Sequence, residues 1–186
     1  MGDLTNDSDN EQWDMFFEHM APALAAGTYV PVAGNHDGNL KWNWFRKMFT
    51  LDEPDNLFNN LTGVYYSFDY GDAHFAVLNT NDMYPMTAVQ RNWLLNDMKA
   101  SDAKWKIVLM HRAPYSAGKG ANKPDVLIMR RLLIPLFDEA GVDVAFCGHD
   151  HQYVRTLPMK GDKPAGANMA SYADPEGTFY ILPGAI

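Results

Sequence analysis

The chain has a single cysteine, Cys147, which excludes an intramolecular disulfide and leaves the redox setting open. It has no apolar run near the roughly 20 residues that span a bilayer. No basic-then-apolar leader opens it, and a membrane is not an expected partner. Basic residues are scarce, with 15 Lys and Arg against 23 Asp and Glu and a net charge of −8. Without a cationic stripe to release counterions from a phosphate backbone, nucleic acid is not expected as a partner. An acidic chain can still handle phosphate if metal ions bring the positive charge. The chain also lacks internal repeats, low-complexity tracts and linkers. Its 186 residues therefore read as one domain with room for a core. Nothing in them specifies an oligomeric state.

What is present alternates between helical and strand-like stretches. The spacing of Trp13, Phe16, Phe17, Met20 and Leu24 predicts a helix over residues 10–26, capped by Ser8 or Asp9 and ended by Gly27. Residues 28–32 read as a buried strand, followed by a short aromatic helix over 42–49 and a polar loop through Asn60. Residues 64–68 and 74–78 read as a hairpin turning at Tyr70-Gly71-Asp72. Val89, Trp93, Leu94 and Met98 mark a second long helix, and residues 105–110 a strand. A glycine-rich loop leads to a helix over 126–140, kinked or broken at Pro135. Strands follow over 142–147, 152–159 and 178–182. Strands alternating with helices indicate an α/β fold.

Three of these strands end in polar clusters: Gly34-Asn35-His36-Asp37, His111-Arg112 and Gly148-His149-Asp150-His151. Ligand sites in open α/β sheets sit beyond the carboxyl ends of strands, so the three clusters can converge. Two imidazoles two residues apart can face one point if the backbone turns at Gly148. Each residue has a bland reading by itself: Asn35 a turn, His111 a hydrogen-bonded strand end, Asp3 a solvated acid. Together Asp3, Asn35, His111, His149 and His151 make a mixed imidazole, carboxylate and amide set. That set suits Zn, Mn, Fe or Co. His19 reads as an exposed helical side chain and His74 as structural. His36 points into the same space as Asn35 and is a catalytic candidate.

The order Gly2-Asp3, Gly34-Asn35-His36-Asp37, His111, Gly148-His149-Asp150-His151 resembles the calcineurin-like metallophosphoesterases. The stretches His111-Arg112-Ala113-Pro114-Tyr115-Ser116 and Gly71-Asp72-Ala73-His74-Phe75 resemble the purple acid phosphatase branch. The resemblance covers nearly the whole chain. It implies an α/β fold in which a sandwich of two sheets, lacking its first strands, is flanked by helices. It also implies two divalent metal ions at the strand ends, and hydrolysis of small phosphomonoesters or diesters by metal-activated water. Asp3 then bridges both metals. Asn35, His111 and His149 complete one metal site, and His151 serves the other. His36 donates to the phosphoryl group or leaving oxygen, and Arg112 and Tyr115 are candidate substrate contacts. Relatives on this branch are often secreted.

The sequence departs from that pattern in two places. The aspartate block that precedes Gly-Asp in the family is absent, which leaves one metal with only Asp3 and His151. Asp3 is then expected to fray on a free terminus, and both ends read as cuts within a larger protein. A second reading follows, a truncated domain that binds one metal or none and has little or no activity. A nuclease is a third reading, disfavoured by the acidic balance. The family's tyrosine ligand position is Asn6 here, so no tyrosinate–iron colour is expected.

Overall fold

The computed structural model describes residues 1–38, 43–51, 64–81 and 88–184. The polar loop through Asn60 lies outside them. Six strands form one mixed sheet: β1 (Tyr66–Tyr70), β2 (Ala73–Leu78), β3 (Trp105–Met110), β4 (Val144–Phe146), β5 (Tyr153–Arg155) and β8 (Phe179–Pro183). Their spatial order is β1-β2-β3-β4-β8-β5. Strands β2, β3, β4 and β8 run parallel, with β1 and β5 antiparallel at the two edges. A second small sheet pairs β6 (Met159–Lys160) with β7 (Lys163–Pro164). Among the described residues four α-helices accompany them: α1 (Asn10–Ala26), α2 (Asn43–Met48), α3 (Ala88–Ala100) and α4 (Pro124–Ala140). The expected α/β class holds, with the second sheet reduced to a ribbon among the described residues.

Side chains alternate across the central strands with period two. Ala76 and Leu78 of β2 and Val108 and Met110 of β3 join Leu94, Met98, Met129, Leu133 and Phe137 of α3 and α4 in one core. Val77 and Leu109, one residue out of step, face the opposite side with Val32 and Tyr66. A third cluster gathers Trp13 of α1 with Phe45 and Val64. The Trp13 ring meets Phe16, Phe45 and Phe49 edge-on, with centroids 5.9–6.3 Å apart, the arrangement the ring quadrupoles favour.

Helix ends follow local chemistry. The Asp9 carboxylate accepts the Gln12 N–H at 2.9 Å and caps α1. Pro124 opens α4, where its missing N–H costs nothing, and Gly141 closes it in the left-handed region at φ 71. Helix α4 runs through Pro135 to Ala140 without the expected break.

Two other expectations are corrected. Residues 28–32 are not a strand. Pro31 has no N–H for a ladder, and its carbonyl instead accepts the Tyr66 hydroxyl at 2.8 Å. The stretch predicted as one strand over 152–159 is split: β5 ends at Arg155, Pro158 interrupts, and β6 begins at Met159.

Candidate metal centre

The carboxyl ends of β3 and β4 deliver His111 and His149 side by side, with ring nitrogens Nε2 and Nδ1 3.2 Å apart. Two further atoms approach the same His111 Nε2: Asp3 Oδ2 at 3.1 Å and Asn35 Oδ1 at 3.1 Å. Ligand atoms of Asp3, His111 and His149 all lie within 4.8 Å of one another. His111 is buried. Its Nδ1 lies 2.7 Å from the Met1 carbonyl oxygen, which can only accept, so Nδ1 carries the proton. In the neutral ring Nε2 then presents a lone pair to a carboxylate, an amide oxygen and a second imidazole. Electron-rich atoms crowd this point, and a neutral set has too few protons to pair them. A cation satisfies all four at once, so the donor set fits a borderline divalent metal.

A doubly protonated His111 ring instead donates from Nε2 to Asp3, and it is this form that shifts its neighbours. Burial alone would raise the Asp3 pKa, but hydrogen bonds from His111 and from the His36 backbone N–H outweigh it and hold it at about 2. Asp3 is thus an anion throughout the working range. Burial, then the charges of Arg112 and His111, lower the His149 pKa to about 4, so His149 is neutral near pH 7.

Asp3 is tethered, contrary to the expected fraying. Gly2 and Asp3 both adopt positive φ, 76 and 56, a region glycine enters freely and aspartate tolerates. Gly34 packs so tightly on Asp3 that a Cβ there would collide with the Asp3 backbone. The underlying knot is Asp37, fully buried. Its carboxylate accepts the Gly34 N–H at 2.7 Å and the Thr5 N–H at 2.8 Å, and its carbonyl accepts the Ser8 hydroxyl at 2.5 Å. One side chain therefore clamps the segment bearing Asp3 to the turn bearing Asn35 and His36. Sequence reasoning missed that role.

The His149 loop is built by close approach. The left-handed residue is His149 itself, at φ 66, and not Gly148. Gly148 is needed because a Cβ there would strike the Met1 carbonyl and crowd His111 Nδ1. Lys123, just before α4, reaches Asp150 at 3.1 Å. Asp125 in the first turn of α4 accepts Arg112 Nη1 at 3.0 Å. The Arg112 backbone N–H is fixed on Thr80 Oγ1 at 2.8 Å, a partner with no sequence signal beyond its place after β2.

Asp3, His36, His111, His149 and His151 all line one cleft of about 940 Å³. The exposed His36 ring sets Nδ1 2.7 Å from the Asn6 carbonyl, and among the described residues Nε2 has no hydrogen-bond partner. His151 is exposed and outside the tight ligand group. Arg112 Nη1 lies 3.0 Å from His149 Nε2. Tyr115 is turned away from the cleft: its hydroxyl donates to Asp162 at 2.7 Å, and its ring packs on Tyr180 and beneath Arg130. His19 and His74 take other roles. His19 is exposed on α1, and His74 bridges Asp69 and Asp97 at 2.7 and 2.8 Å.

The model of the calcineurin-like phosphoesterase family matches residues 1–153. Purple acid phosphatase 21 of Arabidopsis thaliana is 29% identical over 194 residues, covering 98% of this chain and 42% of that protein. Acid phosphatase type 7 of Mus musculus is 24% identical over 200 residues, covering 96% of this chain and 44% of the relative. Among solved structures, a purple acid phosphatase from yellow lupin (Lupinus luteus) seeds superposes with a TM-score of 0.83 at 23% identity. It covers 98% of this chain and 35% of that one. The chain thus spans less than half the length of the relatives it matches. With four motif blocks meeting at one point and the family model running across them, the chain belongs to the calcineurin-like phosphoesterases, on their purple acid phosphatase-like branch.

Proposed function

We propose that this chain carries the metal-binding core of a phosphoesterase acting on small phosphomonoesters or diesters. The observation that supports it most is the convergence of Asp3, Asn35, His111 and His149 on one point, in a cleft that His36 also lines. In this reading those four side chains hold one divalent ion, with His151 serving a second. Bound metal supplies Lewis-acid charge and a low-pKa water as nucleophile. The protein's own part is orientation. The Met1 carbonyl fixes the His111 tautomer, the His36 N–H steadies Asp3, and Asp37 holds both segments in register. With Nδ1–H committed to the Asn6 carbonyl, His36 gives a proton from Nε2 to the leaving oxygen, or donates to the phosphoryl group, in its doubly protonated form. Arg112 is held by Asp125 and by His149 Nε2, each 3.0 Å from its Nη1, and is not among the residues that line the cleft.

A chain loaded with Mn²⁺, Zn²⁺ or Co²⁺ is expected to hydrolyse an aryl phosphate and to lose that activity with His111→Ala. No turnover with any of these metals would overturn the reading. A second reading also has an observation behind it. Among the described residues, the only group of three or more His, Cys, Asp or Glu able to hold a metal is Asp3, His111 and His149. A one-metal domain with little activity accounts for that, and two bound equivalents per chain by elemental analysis would exclude it.

A further inference from the structure

We propose that Asp150 is a positioning residue whose carboxylate plugs the turn bearing His149 and His151 into a socket made by Ser116, Gly120 and Lys123. The inference rests on the proposed ligand roles of those two histidines. Their turn has little support of its own. Its backbone bonds span only two residues, from the Asp150 N–H to the Gly148 carbonyl at 2.8 Å and from the Gln152 N–H to the Asp150 carbonyl at 2.7 Å. His149 sits in the left-handed region at φ 66, which is unfavourable for a residue with a Cβ, and His151 is exposed. Asp150, between them, is 9% exposed. A carboxylate that deeply placed needs a partner, and Lys123 Nζ lies 3.1 Å from its Oδ1.

The socket is the glycine-rich loop between β3 and α4. A Cβ on Gly120 would come 2.6 Å from Ser116 Oγ and 3.4 Å from Asp150 Oδ2, so glycine leaves the room that the hydroxyl and the carboxylate share. The Gly120 N–H reaches the Ala117 carbonyl and its own carbonyl takes the Lys123 N–H, both at 3.1 Å. Arg130 of α4 holds both shoulders of the loop, with Nε on the Pro114 carbonyl at 3.0 Å and Nη2 on the Ala121 carbonyl at 3.3 Å. Met129 and Leu133 anchor that helix in the core. The socket is therefore the fixed part, and the turn is the part it places. Contacts of the His149 ring with Arg112 and His111 hold one imidazole, whereas Asp150 adjoins both. Lys123 is half-exposed and makes no hydrogen bond to a proposed ligand among the described residues, so its substitution reports on the socket alone.

The test compares Lys123→Met, Lys123→Arg and Asp150→Asn in the full chain. Backbone amide NMR order parameters at His149, Asp150 and His151 are expected at about 0.85 in the metal-free wild type. Lys123→Met and Asp150→Asn should drop them toward about 0.6 while α4 stays rigid, and Lys123→Arg should keep them. Zn²⁺ titration calorimetry supplies the second readout: Lys123→Met is expected to weaken binding about fivefold, the upper end for an ion pair with an exposed partner, and Lys123→Arg not to weaken it. A purely structural ion pair instead lowers the denaturation midpoint and leaves both readouts at their wild-type values. That result overturns the proposal, as does a turn already mobile in the wild type. Should Asp150→Asn fail to fold, Lys123→Met decides alone. A wild-type chain that takes no Zn²⁺ overturns the metal-centre reading instead, and the order parameters then decide the Asp150 assignment by themselves.

Discussion

Single residues divide here into those that meet the reacting atoms and those that hold them. His36 belongs to the first group. His36→Ala is expected to lower kcat roughly 10²–10⁴-fold while metal content by elemental analysis stays at the wild-type level. Asn6 gives a second prediction: the iron-loaded protein should show no visible tyrosinate-to-iron absorption band. Its backbone carbonyl instead receives His36 Nδ1, and its N–H donates to Gln12 Oε1 at 2.6 Å. Asp37 belongs to the holding group. Nothing in Asn35-His36-Asp37 says which acid faces inward. Two of its partners, the Thr5 N–H and the Ser8 hydroxyl, lie about thirty positions away, and only the folded chain brings them near. The motif residues were legible because their chemistry is written in their types and order. Their supports, Asp37, Thr80 and Asp125, were not, because each acts through a tertiary approach.

At the scale of elements, amphipathic periodicity located α1 and α3, and the hairpin was legible from its turn at Gly71-Asp72. It failed at residues 28–32, where Pro31 and Val32 are buried and Val32 packs with Tyr66 without joining a ladder. Apolarity records burial and not pairing. Strand β2 carries a pH-sensitive contact of its own. Burial would lower the pKa of His74, but hydrogen bonds and charges from Asp97 and Asp69 outweigh that and raise it above 6.5. A raised folded pKa means that the stabilisation is fully present below the unfolded value and is lost as pH rises through the folded one. The gap in denaturation midpoint between wild type and His74→Gln should therefore be wide at about pH 5.5 and narrow at about pH 9. Equal gaps at both values would show that the ring acts by packing alone.

At the scale of the molecule, the excess of acid, net −8, and a lone-pair-rich centre point the same way: binding of cations should stabilise the fold. At a free metal concentration 100-fold above Kd, linkage gives about 2.7 kcal/mol. Thermal melts are expected to shift upward on adding Zn²⁺ or Mn²⁺ and to return on chelation. His111→Ala should abolish most of that shift.

The Met1–His111 hydrogen bond spans 110 positions, the Asn35–His111 contact 76, and the His111–His149 pair 38. No local segment of the chain can therefore assemble the centre early. Closing loops of that length comes before any reward from the contacts they make, and topologies dominated by such contacts fold slowly. Competence for metal should emerge only in the last step of folding, and the kinetics of cation capture would then time the completion of the whole sheet.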